Sequence, residues 1–244
     1  MNKFKQRILK LLASPKRKYS RYVRRQMLAS ESIERRFTWI YRSNVWGDRE
    51  SVSGPGSTLR YTENLRKQLP LLFAEYKIRR VLDAPCGDFN WMKEVVKEND
   101  IDYVGADIVP QLVESNNVLY KSENVGFIHA DITNGTLPAV DLMICRDCLF
   151  HFSYADIAKF IKNFCRSDIP YLLTTTHINK SGFENKDIKT SEFRLIDLRK
   201  PPFFFPEPLF TIDDWVESHP ARQMGLWSKD QVLDALKKID GASP

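Results

Sequence analysis

Acidic residues follow the apolar stretches that we predict to be successive strands of one sheet. Asp83 ends VLD, Asp107 ends VGAD, and Asp131 follows FIHA. Because the carboxyl ends of parallel strands meet at one edge of a sheet, these three carboxylates should lie close together. Asp107 comes twenty positions after Gly87, a spacing at which a carboxylate can accept hydrogen bonds from ribose hydroxyls. The set predicts a site for a nucleoside-like ligand at this edge.

The loop after the first predicted strand differs from the loops that bind phosphate. Gly87 has no Cβ, so a ligand can approach its backbone closely. The loop has neither the full G-x-G-x-x-G of dinucleotide-binding proteins nor the lysine of a P-loop. Asp83 and Asp88 would repel a phosphate group, so the loop favours a ligand that carries an ammonium or sulfonium group.

A fourth acid and two histidines follow later predicted strands and are candidates for proton transfer. Asp147 follows the segment VDLMIC with only Arg146 between them, and a charged group at the end of a buried strand needs a polar role. Asp147 could orient His151 or serve as the base itself. His151 is equally compatible with a packed residue before the next helix. His177 ends the fifth predicted strand, where a base, a substrate contact and a simple surface histidine all remain open. Nothing in their spacing requires a metal ion, and we predict none.

Cys145 and Cys148 form a C-x-x-C, a spacing found in redox and zinc sites. Neither a second such pair nor a histidine pair at finger spacing accompanies it in the sequence. The surrounding segment has the pattern of a buried strand that runs into a loop. We therefore expect both cysteines to behave as small apolar residues.

The elements that position these residues alternate along the chain. Five apolar or β-branched segments, the first at 79–85 and the fifth at 171–177, alternate with helical patterns. RQMGLWS, at 222–228, is a candidate last strand. Between the fourth and fifth strands, the residues that recur at helical spacing are Ile157, Phe160, Ile161 and Phe164. The alternation predicts an α/β fold with a doubly wound, mostly parallel sheet.

The chain of 244 residues is 43% hydrophobic and 28% charged, which suits one α/β domain with additional segments. We divide it into a basic helical N-terminal arm (1–42), a bridging segment with the loop SVSGPGST (43–70) and a sheet domain (71–244). The arm holds thirteen Lys and Arg against two acids, whereas the formal net charge of the whole chain is only +6. The remainder is therefore net acidic.

The basic arm has three interpretations. Its Lys and Arg residues alternate with Phe4, Ile8, Leu11 and Leu12, a composition that suits an anionic membrane surface. An RNA-binding arm and a solvated basic helix are the alternatives. The net acidic remainder and the lack of a recognisable RNA-binding motif make nucleic acid an unfavoured partner.

We expect a cytoplasmic protein that contacts the inner face of the membrane. No apolar run in the sequence approaches the roughly 20 residues that span a bilayer. The first residues lack the compact apolar stretch and cleavage site of a signal peptide. The oligomeric state is left open by the sequence.

Residues 53–177 resemble the class I S-adenosylmethionine-dependent methyltransferases. The resemblance rests on VLDAPCGDFNWM at 81–92, CRDCLFHF at 145–152 and the acids that follow the second and third strands. The first loop departs from the common E/D-x-G-x-G-x-G, because Pro85 occupies a glycine position and only Gly87 remains. With the upstream SGPGS and the downstream PPFFFPEP, this variant resembles a narrower bacterial group associated with surface-glycan modification.

The resemblance implies a seven-stranded Rossmann-like sheet and S-adenosyl-L-methionine as cofactor. In that family the first loop contacts the methionine part, the acid after the second strand holds the ribose, and residues after the third strand hold the adenine. A lid before the first strand closes over the cofactor. The implied cofactor-binding residues are Ser57, Arg60, Asp83, Pro85, Gly87, Asp107, Ile108, Asp131, Ile132 and Arg146. The catalytic candidates are Asp147, His151 and His177.

The sequence thus predicts O-methylation of a sugar hydroxyl in a cell-surface glycan or glycolipid. Methyl transfer is a displacement at a sulfonium, for which an enzyme aligns two reactants and excludes water. An oxygen nucleophile also needs a base for its proton. An RNA or small-molecule acceptor, and a protein that binds the cofactor without turnover, are the alternatives.

Overall fold

The computed structural model describes residues 32–217 and 219–241. Most of the predicted basic arm, residues 1–31, lies outside the described residues, and so does the predicted membrane contact of its apolar side chains. The arm ends in a described helix, α1 (Ile33–Arg42), which packs against the sheet domain: the Phe37 ring lies 6.1 Å from that of Phe152.

The described residues form six α-helices around one sheet of seven strands. The helices are α1 (Ile33–Arg42), α2 (Glu63–Tyr76), α3 (Met92–Glu98), α4 (Pro110–Tyr120), α5 (Tyr154–Arg166) and α6 (Lys229–Gly241). The strands are β1 (Arg80–Asp83), β2 (Asp102–Asp107), β3 (Val125–His129), β4 (Leu142–Cys145), β5 (Tyr171–His177), β6 (Phe210–Asp213) and β7 (Arg222–Ser228). Short 3₁₀ turns span Pro55–Ser57 and Leu149–His151. Helix α2 continues through Pro70, where the bridging segment was expected to end.

The sheet has the strand order β3-β2-β1-β4-β5-β7-β6. Strands β1 to β5 are parallel, and β7 runs antiparallel to both of its neighbours. The predicted α/β fold, with its doubly wound and mostly parallel seven-stranded sheet, is confirmed. The chain leaves β1 toward β3 and then returns to place β4 beside β1. Ligands of such sheets bind at the carboxyl ends of the strands at this switch point.

Apolar residues cover both faces of the sheet, as expected when helices flank parallel strands. Leu82 and Met143 belong to the core on the side of α5 and α6. Val81 and Leu142 belong to the core on the side of α2 and α3. The four α5 residues predicted to recur on one face are all fully buried: Ile157, Phe160, Ile161 and Phe164. Ser153 caps this helix by accepting a hydrogen bond from the Asp156 N–H.

The C-x-x-C cysteines are core residues. Cys145 and Cys148 are buried, carry free thiols and pack in the apolar cluster around α5. Burial raises the pKa of the Cys148 thiol well above its ordinary value. Within residues 32–217 and 219–241, no group of three or more His, Cys, Asp or Glu side chains is arranged to hold a metal ion.

None of the helices in the described part of the chain combines the length and the apolarity needed to cross a membrane.

Candidate active site

A cavity of about 230 Å³ lies at the carboxyl ends of β1, β2 and β4. Eleven of the thirteen predicted site residues line it: Ser57, Asp83, Pro85, Gly87, Asp107, Ile108, Asp131, Ile132, Arg146, Asp147 and His151. Arg60 and His177 do not. The cavity is where the sheet topology predicts a ligand, and the structure brings most of the predicted residues to it.

Gly87 lies at the tight turn after β1, where both its backbone conformation and its size matter. Its φ of +56° is unfavourable for residues with a side chain. A Cβ at this position would lie 2.2 Å from Ser53 Oγ. The Gly87 N–H donates a hydrogen bond of 3.0 Å to Asp107 Oδ2. Glycine therefore permits both the turn and the approach of the segment before β1.

Asp107, at the end of β2, is a buried carboxylate held by the backbone. Its Oδ1 accepts a 2.9 Å hydrogen bond from the Val109 N–H, and its Oδ2 accepts the bond from Gly87. Burial raises the pKa of Asp107 to about 6, although these backbone donors favour the ionised form. Because each carboxylate oxygen has further acceptor capacity, Asp107 can still accept hydroxyl donors from the cavity.

Asp83, at the end of β1, has a different partner. The Tyr103 hydroxyl donates a 2.9 Å hydrogen bond to Asp83 Oδ2. Burial raises the pKa of Asp83 to about 7, against the effects of this hydrogen bond and the charge of Arg146. A cationic group in the cavity would favour the ionised carboxylate.

The end of β3 supplies a polar group beside an apolar wall. Asp131 Oδ1 accepts hydrogen bonds from the N–H and the hydroxyl of Thr133, at 2.8 and 2.7 Å. The structure records no hydrogen bond to Oδ2 among the described residues. The neighbouring Ile132 is buried, and Ile108 also lines the cavity. A carboxylate oxygen against apolar side chains suits a flat heterocycle with an amino group.

Residues 51–57, which we call the lid, close the cavity in front of the first loop. Asp88 holds one end, since its carboxylate accepts hydrogen bonds from Ser51 Oγ at 2.9 Å and from the Val52 N–H at 2.9 Å. The Gly56 carbonyl accepts a 2.7 Å hydrogen bond from Arg146. Asp88 thus serves to attach the lid. Arg60 is exposed beyond the lid and does not line the cavity, so the structure does not place it with the other predicted cofactor-binding residues.

Two arginines and two aspartates form a buried network beside the cavity: Arg146, Asp147, Asp214 and Arg222. Arg146 donates from Nε and Nη2 to the two carboxylate oxygens of Asp214, both at 2.9 Å. Arg222 Nη2 donates to Asp147 Oδ2 at 2.7 Å. The two members that the sequence analysis missed, Asp214 and Arg222, lie 68 and 75 residues from their partners. The one sequence signal that could have identified them is their position at the ends of β6 and β7, and β6 itself was not predicted.

Asp147 is a weak base in this network. Burial disfavours its charged form, but the charges of Arg146 and Arg222 outweigh burial and hold the pKa of Asp147 below its usual range. Its carboxylate does not orient His151 through a hydrogen bond; its nearest cation is Arg222. The structure therefore separates the two residues that the sequence analysis treated as a possible pair.

His151 takes its orientation from the backbone of a distant segment. Its Nδ1 lies 2.8 Å from the carbonyl oxygen of Glu192. Since a carbonyl only accepts hydrogen bonds, Nδ1 carries the proton, and Nε2 of the neutral ring carries the lone pair. Burial lowers the pKa of His151, against the effects of the Glu192 carbonyl and of Asp147. A neutral imidazole that lines the cavity is suited to accept a proton at Nε2.

His177 lies in the core, away from the cavity. Its Nδ1 accepts a 3.2 Å hydrogen bond from the Ile196 N–H, and its ring lies 5.5 Å from that of Phe150. Burial lowers the pKa of His177 to about 4. The expectation of a surface histidine is corrected, because the segment containing Phe193 and Ile196 covers the end of β5. The structure does not bring His177 to the cavity, where the predicted base or substrate contact would lie.

Exposed aromatic rings lie near His151. The Trp46 ring lies 5.7 Å from the imidazole, and the Phe193 ring lies 6.0 Å from it. Trp46 is 37% exposed and Phe193 is 57% exposed. Phe37 and Tyr41 of α1 also line the cavity. The sequence analysis missed these aromatic residues, because they lie in irregular segments or in the part of the arm that was assigned to the membrane.

Comparisons with known proteins agree with this architecture. Residues 81–167 match the family profile described as "Methyltransferase domain". A S-adenosylmethionine-dependent methyltransferase from Leishmania major has a similar structure, with 15% identity and a TM-score of 0.62 over 83% of this chain and 89% of that one. No curated protein matches this sequence significantly.

Two further solved structures share the fold. Magnesium protoporphyrin IX methyltransferase from Synechocystis, with bound S-adenosylmethionine, is 14% identical, with a TM-score of 0.52 over 81% of this chain and 98% of that one. The methyltransferase domain of bacterial CtHen1-C is 12% identical, with a TM-score of 0.54 over 69% of this chain and 98% of that one. Residues 81–167 match a methyltransferase domain, and the solved structures share its fold; both agree with the prediction of an S-adenosylmethionine-dependent methyltransferase.

The residues of the cavity fit S-adenosylmethionine, the cofactor expected of this class. Asp107 has acceptor capacity for hydroxyl donors, Asp131 lies beside apolar side chains, and the pKa of Asp83 leaves it able to ionise beside a cation. The contacts assigned to individual residues remain predictions.

Proposed function

We propose that this chain transfers the methyl group of S-adenosylmethionine to a hydroxyl oxygen, with His151 as the general base. The observation that carries the proposal is the 2.8 Å contact of His151 Nδ1 with the Glu192 carbonyl, which leaves Nε2 as the proton acceptor at the cavity. S-adenosylmethionine, when bound, supplies a methyl group on a positively charged sulfur.

His151 Nε2 takes the hydroxyl proton of the acceptor as the oxygen bonds to the methyl carbon and the sulfur–carbon bond breaks. The bound cofactor would keep the electron pair of the broken bond on its sulfur, so the products would be a methyl ether and a neutral thioether. The imidazolium then releases its proton to solvent. Asp147 does not compete for the proton, because Arg146 and Arg222 hold its pKa low.

The proposed cofactor contacts divide along the strand ends. Asp107 accepts the ribose hydroxyls, Asp131 accepts the adenine amino group, and Ile108 and Ile132 pack against the ring. Asp83 faces the methionine ammonium, the backbone of Pro85 and Gly87 approaches the methionine part, and Ser57 donates from the lid. Arg146 Nη1, whose nearest carboxylate oxygen is 3.5 Å away on Asp147, is the proposed partner of the methionine carboxylate.

For the acceptor we propose a sugar hydroxyl of a glycan or glycolipid. The support is the pair of exposed rings, Trp46 and Phe193, that lie near the base. Aromatic faces provide flat apolar contact for the C–H faces of a sugar ring. A planar small molecule would use the same rings, whereas an RNA acceptor would also need a basic surface for its phosphates.

A screen with radiolabelled cofactor tests the proposed function. The purified full chain is incubated with glycan, glycolipid, RNA and small-molecule fractions, with and without a divalent metal. We expect label in the glycan or glycolipid fraction. Label in RNA alone would overturn the acceptor class. Cofactor binding with no labelled product in any fraction would favour a non-catalytic binding protein.

We also propose that residues 1–42 bring the enzyme to an anionic membrane surface at which a lipid-linked acceptor is modified. The support is the sequence of the arm, with thirteen basic residues interleaved with apolar ones. The full chain should co-sediment with anionic liposomes and not with neutral ones. Because residues of α1 line the cavity, the matched variant removes only residues 1–31. If this variant co-sedimented with anionic liposomes as well as the full chain does, the proposal would be contradicted.

A further inference from the structure

Residues 190–194, which we call the clamp, bind the turn that carries His151 at several points. The Ser191 N–H donates to the His151 carbonyl at 2.7 Å, and the Arg194 N–H donates to the Phe150 carbonyl at 3.2 Å. The Glu192 carbonyl accepts from His151 Nδ1. The backbone on both sides of His151 and the ring itself are thus held by one short segment.

Two clamp side chains extend this attachment. Arg194 Nη1 donates a 2.6 Å hydrogen bond to the carbonyl oxygen of Phe152. Thr190 Oγ1 accepts a 2.8 Å hydrogen bond from the Ser153 N–H, at the start of α5. Arg194 and Thr190 are both buried. The clamp therefore engages four consecutive residues, 150–153, although it lies about forty positions away in the sequence.

The backbone of the clamp is strained at the residue before Glu192. Ser191 has a φ of +88°, a conformation that residues with a side chain rarely adopt. Such a conformation persists only where the surrounding structure holds it, and it is concentrated at functional sites. Here the strained residue immediately precedes Glu192, whose carbonyl contacts the His151 ring, and its own N–H donates to the His151 carbonyl.

We infer that the clamp is a positioning device that selects the Nδ1–H tautomer of His151 and so presents Nε2 to the acceptor. Ser191 and Glu192 are its central positioning residues, and Thr190 and Arg194 fix the turn on which the ring is carried. The inference rests on the proposed function, because it assigns a purpose to the tautomer that the base needs. If the inference is correct, activity requires the clamp, which lies outside the cavity lining, as well as His151 itself.

The tautomer is measured directly by long-range proton–nitrogen NMR correlations of the imidazole rings in the ¹⁵N-labelled full chain. The His151 signals are assigned by their loss in His151→Gln. We expect a protonated Nδ1 and an unprotonated Nε2 at neutral pH. A wild-type ring protonated at Nε2 would overturn the inference.

Ser191→Val breaks the clamp, since a β-branched residue cannot easily hold a φ of +88°. We expect a mixed tautomer signal and a fall in kcat of roughly tenfold or more, within the range that a general base contributes, with KM for the cofactor unchanged. Ser191→Gly, which adopts positive φ readily, should keep the Nδ1–H signal. A folded Ser191→Val protein with the wild-type tautomer and kcat would contradict the inference.

Lys77→Val is the matched control for backbone strain. Lys77 also has a positive φ, +55°, but it is exposed at the end of α2. The Lys77→Val protein should lose stability without any change in the His151 signals or in kcat. If Ser191→Val fails to fold, the isosteric Thr190→Val, which removes the acceptor for the Ser153 N–H, decides the question by the same two readouts.

The proposed function and the clamp can fail separately. Wild-type kcat in His151→Gln would reject His151 as the base. A second outcome would reject only the clamp. In that outcome, His151→Gln loses kcat, but the folded clamp variants keep both the wild-type tautomer and the wild-type kcat, and the proposed function stands.

Discussion

The carboxylates at the ends of β1 and β2 differ from the carboxylate after β4, although all three line one cavity. Asp83 and Asp107 have neutral hydrogen-bond donors, and burial raises their pKa values to about 7 and about 6. Asp147 contacts two arginines, and its pKa is lowered. Burial raises the pKa of each carboxyl group, and only at Asp147 do the charges of neighbouring arginines outweigh that effect, so the sign of the shift follows the nearest partners.

Under the proposed function, this difference separates a cofactor half of the site from an acceptor half. In the cofactor half, carboxylates fixed by backbone and hydroxyl donors keep acceptor capacity for a ligand. In the acceptor half, Asp147 pairs with arginines, and we propose His151 as the group that accepts the proton. Residues of one type at equivalent strand ends therefore serve different purposes.

The largest expected effect comes from breaking the charge network. Arg146→Met leaves the buried Asp214 without its two-point partner, and we expect the free energy of unfolding to fall by about 3–5 kcal/mol. Arg79→Met is the matched control, since the Arg79–Asp100 pair is exposed and should contribute no more than about 1 kcal/mol. Urea denaturation measures both. Equal losses in the free energy of unfolding would show that the network contributes no more stability than an exposed ion pair.

In the cofactor half, Asp107→Ala removes the acceptor proposed for the ribose. Hydrogen bonds to a charged group contribute about 1.5–3 kcal/mol, so affinity for S-adenosylmethionine should fall by at least tenfold in isothermal titration. Asp102→Ala, exposed at the opposite end of the same strand, should bind as the wild type does. An unaltered affinity in a folded Asp107→Ala protein would refute the ribose assignment.

If Asp83 faces the cofactor ammonium as proposed, we expect cofactor binding to depend on pH. Its pKa of about 7 in the free protein means that the carboxyl group is largely protonated at pH 5.5, whereas a bound ammonium favours the ionised form. Affinity should therefore rise with pH between 5.5 and 7.5, by up to roughly tenfold per unit, while the cofactor amine stays mostly protonated. Binding should release protons in this range. A pH profile in Asp83→Asn as steep as in the wild type would exclude Asp83 as the source.

The smallest expected effect concerns His177, which we place in the structural core. Its folded pKa of about 4 lies below the unfolded value near 6.5, so the unfolded chain binds more protons between these values. Its contribution to stability is present above about pH 6.5 and is lost as the pH falls toward 4. His177→Gln should flatten this part of the stability profile by on the order of 1 kcal/mol. An unaltered slope would contradict the assignment.

The cofactor half was largely predictable from the sequence, and the acceptor half was not. Asp83, Asp107 and Asp131 each follow an apolar strand, so local pattern and sheet topology suffice to bring them together. Trp46 and Glu192 come from irregular segments with no periodic signal, and Glu192 acts through its backbone carbonyl, to which residue type gives no clue. Packing of such distant segments is a tertiary effect that one sequence does not reveal.

His177 and Arg222 illustrate the same limit within regular strands. Both are polar residues at strand ends, and the sequence favoured His177 as the functional one. The segment containing Phe193 and Ile196 covers His177. Arg222, at the start of β7, instead pairs with Asp147. The neighbouring strand β6 was not predicted from the sequence. Position at a strand end indicates which residues can reach the site, and the covering segments decide which of them do.

The most direct test of the central claim is single-turnover methyl transfer by His151→Gln loaded with labelled S-adenosylmethionine, beside His219→Gln as the control histidine variant. We predict that His151→Gln binds the cofactor with wild-type affinity and transfers the methyl group roughly 10²- to 10⁴-fold more slowly, while His219→Gln transfers it at the wild-type rate. Transfer at the wild-type rate by His151→Gln would contradict the account.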